Sequence, residues 1–181
     1  LETALRNKGK LMEADMVRNI VPSDVQCIFV RQPEQLGLGH AVLCAERVVG
    51  QDPFAVLLAD DFIIHNEGSS TTADLISNYQ ITGKSQVSYQ KVNGPDISKY
   101  GVLKLDPSSN EVGGIAEKPS FENAPSNLAA IGRYVLSPEI FEELRKIRPD
   151  SGGEIQLSDA LNEQAIKGKL EAFEISGKRF D

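Results

Sequence analysis

Short apolar runs alternate with helical stripes along the 181 residues of the chain. Runs with the length and the β-branched or aromatic content of strands lie at residues 25–30, 54–59, 86–92, 101–105, 112–117, 128–136 and 170–175. The run at 54–59 has no polar interruption, which is typical of a strand buried on both faces of a parallel sheet. We therefore predict strands at all of these runs, with 54–59 covered by helices on both sides.

Helical patterns separate these runs. Apolar spacing and capping residues predict helices over residues 11–20, 40–49, 71–81, 137–147 and 156–167. Thr71 or Thr72 is the expected cap of the helix at 71–81. Strands and helices alternate in the first half of the chain, and strands cluster in the middle. We therefore predict a three-layer αβα domain of the α/β class, with a mixed sheet whose first half is doubly wound.

Charge and cysteine content narrow the classes of protein. Lys and Arg number 19 against 26 Asp and Glu, a net charge of −7, so the basic footprint of a nucleic-acid or anionic-membrane binder is missing. No apolar run approaches the ~20 residues of a membrane-spanning helix. The two cysteines, Cys27 and Cys44, provide no disulfide framework and predict a reducing, cytoplasmic setting.

The two ends of the chain look internal. Leu1 begins a segment that resembles the middle of a helix, and Asp181 directly follows an extended segment. We therefore expect residues 1–181 to be a single partial domain, incomplete at its N-terminus. A site at the edge of the sheet would then be divided by the boundaries of the chain.

Chemistry-bearing residues follow the first two predicted strands, and ligands of α/β sheets bind at such strand ends. Gln32, Gly37 and Gly39 follow the strand at 25–30. A carboxamide suits the edge of a nucleobase and glycine permits close backbone approach, while the alternative is an ordinary connecting loop. Asp60 and Asp61 follow the second strand. Carboxylates beside phosphates suit Mg²⁺, while the alternative is that one of them caps a turn.

Glu117 and Lys118 follow a later strand. A glutamate accepts hydrogen bonds from sugar hydroxyls and a lysine neutralises phosphate, while the alternative is a surface ion pair. His40 is interpreted as a packed or capping residue at a helix start, and Cys44 as a buried, inert thiol. Since His and Cys do not cluster, we do not expect zinc.

Nine segments in register resemble the bacterial UTP–glucose-1-phosphate uridylyltransferases, also called UDP-glucose pyrophosphorylases. The segments are Val30-Arg31-Gln32, Gly37-Leu38-Gly39-His40-Ala41-Val42, Ala55-Val56-Leu57-Leu58-Ala59-Asp60-Asp61, Tyr100-Gly101-Val102, Glu117-Lys118-Pro119, Ala124-Pro125-Ser126-Asn127-Leu128-Ala129, Gly132-Arg133-Tyr134-Val135-Leu136, Gly153-Glu154-Ile155-Gln156-Leu157 and Gly177-Lys178-Arg179-Phe180-Asp181. Their order and spacing fit along the whole chain. The resemblance implies the Rossmann-like fold of the nucleotide-diphospho-sugar transferases, and it favours the functional interpretation of Gln32, Asp60, Glu117 and Lys118.

The resemblance implies that UTP and glucose 1-phosphate react to form UDP-glucose and pyrophosphate, with Mg²⁺ as cofactor. Gln32 and the backbone of Gly37 would contact the uracil. Asp60 would serve catalysis by holding the metal against the nucleotide phosphates. Asp181 looks like the second metal carboxylate of the family.

The sugar side of the site is implied in the same way. Tyr100 and Gly101 would border the glucose pocket, and Asn127 would help to line it. Glu117 would bind glucose hydroxyls, and Lys118 would bind the sugar phosphate and serve catalysis. The resemblance also implies a homo-oligomer, either a dimer or a tetramer.

One family motif is missing from these 181 residues. The family carries a Gly-x-Gly-Thr-Arg loop that cradles the triphosphate, and no such sequence occurs here. We therefore expect this chain by itself to be inactive. Two alternatives stay open: a catalytically dead module that binds a sugar nucleotide, and a dTDP-glucose-type thymidylyltransferase. A NAD-dependent oxidoreductase is disfavoured, because no Gly-x-Gly-x-x-Gly follows a strand with an acidic residue ~20 positions on.

Overall fold

The computed structural model describes residues 1–65, 68–106 and 108–180. The chain divides into two compact units, Leu1–Arg31 and Gln32–Asp181. Among the described helices, none has the length and apolar character needed to cross a membrane. That residues 1–181 are one partial domain stays a prediction.

The first unit contains two short helices, α1 (Glu2–Asn7) and α2 (Leu11–Arg18). Arg6 connects them, since its guanidinium donates to the Glu2 carboxylate at 2.9 Å and to the Asp15 carboxylate at 2.6 Å. The helix predicted over residues 11–20 is confirmed except at residues 19–20.

The predicted strand at residues 25–30 does not form, so this prediction was wrong. Within the described residues no strand pairs with this segment, and an unpaired segment leaves its backbone groups to water. Its apolar side chains stay exposed, with Ile28 at 65% and Phe29 at 95%. The composition identified a segment able to pair, but strand formation depends on the partner.

The second unit contains the sheet and the helices that cover it. Its helices are α3 (Gly37–Cys44), α4 (Glu46–Val49), α5 (Thr71–Thr82), α6 (Ile140–Leu144) and α7 (Leu157–Ile166), with 3-10 turns at Pro95–Lys99 and Phe121–Asn123. Its strands are β1 (Phe54–Leu57), β2 (Phe62–Ile64), β3 (Ser85–Lys91), β4 (Gly101–Leu105), β5 (Val112–Glu117), β6 (Leu128–Leu136), β7 (Leu170–Glu174) and β8 (Lys178–Phe180).

Most of these elements agree with the sequence pattern. The strands predicted at 86–92, 101–105, 112–117, 128–136 and 170–175 are confirmed to within one residue at each end. The helix predicted over 40–49 divides into α3 and α4, and the helix expected over 137–147 is confined to α6. The short strands β2 and β8 were not predicted.

The cap of α5 lies one residue earlier than predicted. Ser70 has extended backbone angles, and its hydroxyl accepts a hydrogen bond from the Ala73 amide at 3.2 Å. Thr71 and Thr72 already belong to the helix, so neither is the cap. All three residue types are good caps, which is why the pattern did not separate them.

The sheet is mixed and centred on β6. Its strand order is β5-β4-β6-β3-β7. One edge of β6 pairs with β3, and the other is shared by β1, opposite residues 133–136, and β4, opposite Ala129. Within the described residues, only β3 and β7 pair in parallel. Strands β2 and β8 form a separate antiparallel pair.

The apolar sequence of β1 predicts burial on both faces, and this prediction was wrong. Strand β1 pairs antiparallel with β6, and its side chains alternate between half-buried and exposed, with Leu57 54% exposed. Strands β1 and β3 run in the same direction, but they lie on opposite sides of β6 and are not neighbours. The expected doubly wound first half is therefore interrupted by a later strand.

Helices cover both faces of the sheet. Along β6, Tyr134 and Leu136 enter the main core with α3, α6 and α7, while Val135 between them is buried on the other face. In that core Phe141 stacks on Phe54, with ring centroids 5.1 Å apart. Helix α5 lies against β3 and β6 outside the main core. The predicted α/β class and mixed sheet are confirmed.

Candidate functional site

The loop that leads into α3 is clamped to the loop before α7. The Ile155 amide donates to the Leu36 carbonyl at 2.8 Å, and the Gly39 amide donates to the Ile155 carbonyl at 2.9 Å. Gly37 has φ of +85°, a conformation that glycine adopts without strain. The clamp holds the first turn of α3 against the chain segment that leads into α7.

Replacing Gly39 with alanine is expected to destabilise this clamp. The new Cβ would lie 2.6 Å from the Ile155 carbonyl oxygen and 2.9 Å from the Leu144 side chain. We expect overpacking to cost about 1–3 kcal/mol of unfolding free energy, and the roughly 1 kcal/mol gain in helix propensity offsets only part of it. Urea denaturation measures the change.

The matched control is Gly113→Ala, because a Cβ there would meet nothing closer than the Lys104 carbonyl oxygen at 3.6 Å. Equal stability of the two alanine variants would contradict the packing argument.

Gln32 lies beside the clamp. Its Nε2 atom is 3.1 Å from the Gly37 carbonyl oxygen and 3.0 Å from Nδ1 of His40. His40 is half-buried, and its Nε2 is 3.8 Å from Sγ of Cys44. The predicted nucleobase residues Gln32 and Gly37 are therefore in direct contact, and His40 packs against them.

The two aspartates after β1 have different environments. Asp60 is exposed in a turn, and within the described residues its carboxylate has no hydrogen-bond or ion-pair partner. Asp61 is only 7% exposed and accepts a hydrogen bond from the Gly132 amide at 2.7 Å. A buried carboxylate needs compensation, so Asp61 is committed to the protein while Asp60 faces solvent.

Arg179 compensates the buried charge of Asp61. Its Nε donates to the Asp61 carboxylate, and its Nη1 donates to the Tyr100 hydroxyl oxygen at 3.1 Å. Burial alone would lower the pKa of Arg179, but the hydrogen bonds to Tyr100 and Asp61 outweigh burial and raise it. The guanidinium also lies 5.2 Å from the centre of the Tyr100 ring. Arg179 thereby connects the strand end at β1 with the start of β4.

This connection is not visible in the sequence pattern. A buried aspartate after an apolar strand signals that a cation must lie nearby, but the partner is 118 positions away along the chain. Arg133 also stabilises the turn after β1, since its Nη1 donates to the carbonyls of Leu58 at 3.1 Å and Gly132 at 2.8 Å.

A cavity of about 160 Å³ is lined by residues of α3, α7, β4, β5 and β6. Its lining includes Leu38, Gly101, Glu117, Tyr134 and Ser158. The hydroxyl of Ser158 is buried and has no partner within the described residues, so a polar ligand atom could bind it. Burial raises the pKa of Tyr134, and the carboxylates of Glu117 and Asp61 add to the shift. The Tyr134 hydroxyl therefore stays neutral.

Tyr100, Gly101, Glu117 and Lys118 form one cluster at the paired ends of β4 and β5. Gly101 lies opposite Glu117, and a Cβ on Gly101 would be 3.2 Å from the Glu117 carboxylate. The Lys118 amide donates to the Tyr100 carbonyl at 3.1 Å. Lys118 is exposed and has φ of +42°, a sparsely populated conformation for a side-chain-bearing residue that clusters at functional sites.

Asn127 and Asp181 stand apart from this cluster. The Asn127 amide donates to Asn93 Oδ1 at 3.1 Å, and Asn127 does not belong to the lining of the 160 Å³ cavity. Asp181 lies outside the described residues, so its metal role stays a prediction. Within the described part of the chain, no group of three or more His, Cys, Asp or Glu side chains could hold a metal ion.

The remaining donor set still suits Mg²⁺. This ion often takes one or two protein carboxylates, with substrate phosphates and water completing its shell. Asp60 offers an exposed carboxylate without an ion-pair partner in the described part of the chain, whereas the carboxylate of Asp61 is neutralised by Arg179.

A larger cavity of about 510 Å³ lies elsewhere, lined in part by Tyr79, Gly83, Lys84, Glu139 and Gly168. None of the predicted site residues lines it. Lys84 is paired with Glu111. The side chains that line the smaller cavity therefore favour it as the candidate site, although its volume is less.

Comparison with known proteins identifies the family of the chain. A family model described as nucleotidyl transferase matches residues 3–179. A UTP–glucose-1-phosphate uridylyltransferase from Haemophilus ducreyi is 42% identical over 100% of this chain and 64% of its own length. The uridylyltransferase YngB of Bacillus subtilis is 44% identical over 100% of this chain and 61% of its own length. The resemblance that the nine motifs indicated is confirmed.

A solved structure supports the same conclusion about the fold. A UDP-glucose pyrophosphorylase crystallised with UDP-glucose is 40% identical and has a TM-score of 0.85, covering 97% of this chain and 66% of that protein. The chain thus spans about two thirds or less of the length of the relatives it matches.

Proposed function

Because the chain belongs to the nucleotidyl transferase family, we propose that it acts in the transfer of a uridylyl group from UTP to glucose 1-phosphate. The products are UDP-glucose and pyrophosphate. The observation that carries this proposal is the 160 Å³ cavity, because Leu38 of α3, next to the predicted base contact Gly37, lines it together with the predicted sugar residues Gly101 and Glu117. A nucleotide sugar has a base and a sugar at its two ends, and this lining joins the neighbour of a predicted base contact to two predicted sugar contacts.

The reaction joins two anions, so binding and charge neutralisation carry most of the catalysis. A phosphate oxygen of glucose 1-phosphate attacks the α-phosphorus of UTP, and the bond to the bridging β-phosphate oxygen breaks as pyrophosphate leaves. Lys118, at the exposed end of β5, would neutralise the sugar phosphate. Glu117 would accept hydrogen bonds from glucose hydroxyls, and Gln32 would contact the uracil. No covalent protein intermediate is required.

We propose Mg²⁺ as the cofactor, with Asp60 and Asp181 as its protein ligands. When bound, the ion supplies positive charge to phosphate oxygens and orients the triphosphate. Asp60 suits this role because its carboxylate has no protein partner within the described residues.

The cysteines of the chain bear on the setting of the protein. The free thiols Cys27 and Cys44 suit a reducing compartment, and we propose a cytoplasmic location. We also propose a homodimer or homotetramer, without nucleic-acid or membrane partners. Light scattering of the purified full-length protein tests the oligomeric state.

Pyrophosphate release tests the activity. The full-length protein, incubated with UTP, glucose 1-phosphate and Mg²⁺, is expected to release pyrophosphate and form UDP-glucose in equal amounts, and chelation of the metal should stop both. Replacing UTP with dTTP separates the uridylyl from the thymidylyl reaction. Binding of UDP-glucose without any turnover would instead identify a binding module, which the absent Gly-x-Gly-Thr-Arg sequence favours for this chain alone.

Lys118→Ala is expected to raise KM for glucose 1-phosphate by roughly 10- to 100-fold, because a charge-assisted hydrogen bond to phosphate is lost. KM for UTP should change little. Steady-state kinetics with each substrate varied measures both constants. Lys104→Ala on β4 removes an exposed lysine outside the site and serves as the control. Equal effects of the two variants would remove Lys118 from the sugar-phosphate site.

A further inference from the structure

The orientation of the Gln32 carboxamide is determined by its neighbours. The atom that lies 3.1 Å from the Gly37 carbonyl oxygen must be the amide nitrogen, because a carbonyl only accepts hydrogen bonds. The same nitrogen lies 3.0 Å from Nδ1 of His40. Both amide hydrogens are therefore used inside the protein, and Oε1 of Gln32 is left as the group that can meet a ligand.

This arrangement also assigns the tautomer of His40. Since Gln32 donates to Nδ1, that ring nitrogen must carry the lone pair, and a neutral ring then carries its proton on Nε2. Nε2 lies 3.8 Å from Sγ of Cys44, which can accept this weak hydrogen bond. The three side chains thus form a directed relay from the carboxamide to the imidazole to the thiol.

We propose that His40 is a positioning residue that makes the site select uracil over cytosine by presenting Oε1 of Gln32 to the base. This inference rests on the proposed uracil contact of Gln32. Uracil carries a hydrogen on N3, which Oε1 can accept. Cytosine carries a lone pair on N3, which would face the lone pairs of Oε1 and leave both acceptors unpaired.

The role of His40 follows from what its loss would permit. Without an acceptor at Nδ1, only the Gly37 carbonyl would hold the amide nitrogen, and the carboxamide could rotate to present a donor to the base. Loss of one neutral hydrogen bond changes an equilibrium by roughly five- to tenfold. We therefore expect removal of the acceptor to lower the UTP-to-CTP affinity ratio by about that factor.

The test compares UTP and CTP affinities by calorimetry in the full-length protein and three variants. His40→Phe keeps a ring but removes the acceptor, and should lower the UTP-to-CTP ratio. His40→Asn can place an amide oxygen near the position of Nδ1, and should restore most of the ratio. His40→Leu repeats the first change if the phenylalanine variant melts early. A ratio that stays at the wild-type value in the Phe and Leu variants would overturn the inference.

Gln32→Ala separates this inference from the proposed function. If Gln32→Ala lowers the ratio while the His40 variants do not, the uracil contact stands and the positioning role of His40 is overturned. If UTP fails to bind the wild-type protein, the proposed function itself fails.

Nitrogen-15 NMR of the His40 ring gives an independent readout. The relay predicts the tautomer with the proton on Nε2, and a proton on Nδ1 would overturn the inference.

Discussion

Asp60→Asn is expected to lower the rate of pyrophosphate release by at least about 100-fold, while the midpoint of thermal unfolding stays unchanged. The activity falls because the neutral amide is a poor ligand for Mg²⁺. The stability is kept because Asp60 is exposed and makes no ion pair within the described residues. Pyrophosphate release and differential scanning calorimetry measure the two quantities on the same preparation.

Asp52→Asn provides the control for this experiment, because Asp52 is also exposed and lies at the other end of β1. It should leave the rate within about twofold, since surface substitutions away from a site have small effects. An Asp60→Asn protein with the wild-type rate would show that Asp60 does not hold the metal.

Asp61→Ala, one position further along, should have the opposite pattern of effects. We expect it to lower the free energy of unfolding by about 3–5 kcal/mol, because it leaves Arg179 without its carboxylate in a buried setting. The side chains of Asp61 and Arg179 are only 8% and 11% exposed. The Gly132 amide also loses its acceptor. Chemical denaturation monitored by circular dichroism measures the change.

Two further variants calibrate this result. Glu174→Ala removes an exposed ion pair with Lys91, 3.1 Å long, and should cost less than about 1 kcal/mol. Combining Asp61→Ala with Arg179→Met removes both buried charges, so the double variant should be more stable than the sum of the single changes predicts. Strict additivity, or a cost for Asp61→Ala as small as that of Glu174→Ala, would contradict a buried, coupled pair.

The strands with strong local patterns were predictable, but their partners were not. Residues 54–59 read as an interior strand, yet β1 pairs with β6, which lies about eighty positions later. Residues 25–30 have equal strand character and pair with nothing in the described part of the chain. Strands β2 and β8 are too short to show a period of two. Pairing depends on contacts distant in sequence, which local periodicity does not carry.

Site residues in local motifs were also predictable, whereas those that depend on a distant partner were not. The motifs pointed to Gln32, Glu117 and Lys118, and the structure gathers Glu117 and Lys118 with Tyr100 and Gly101. The supporting role of Asp61 was not visible, because it depends on an arginine far along the chain.

The sequence predicts His40 as a packed or capping residue, and the side chain is half-buried. Its contact with Gln32 arises because the chain folds back between Gln32 and α3, which local periodicity does not show.

We expect one nucleotide-sugar site at the 160 Å³ cavity, and a titration of the full-length protein with UDP-glucose, followed by amide chemical shifts, locates the site. The largest shifts should occur at Gly101, which lines the cavity, and at Gly37 and Lys118, the neighbours of its lining residues Leu38 and Glu117. Shifts concentrated at Gly83 and Gly168, in the wall of the larger 510 Å³ cavity, would contradict it.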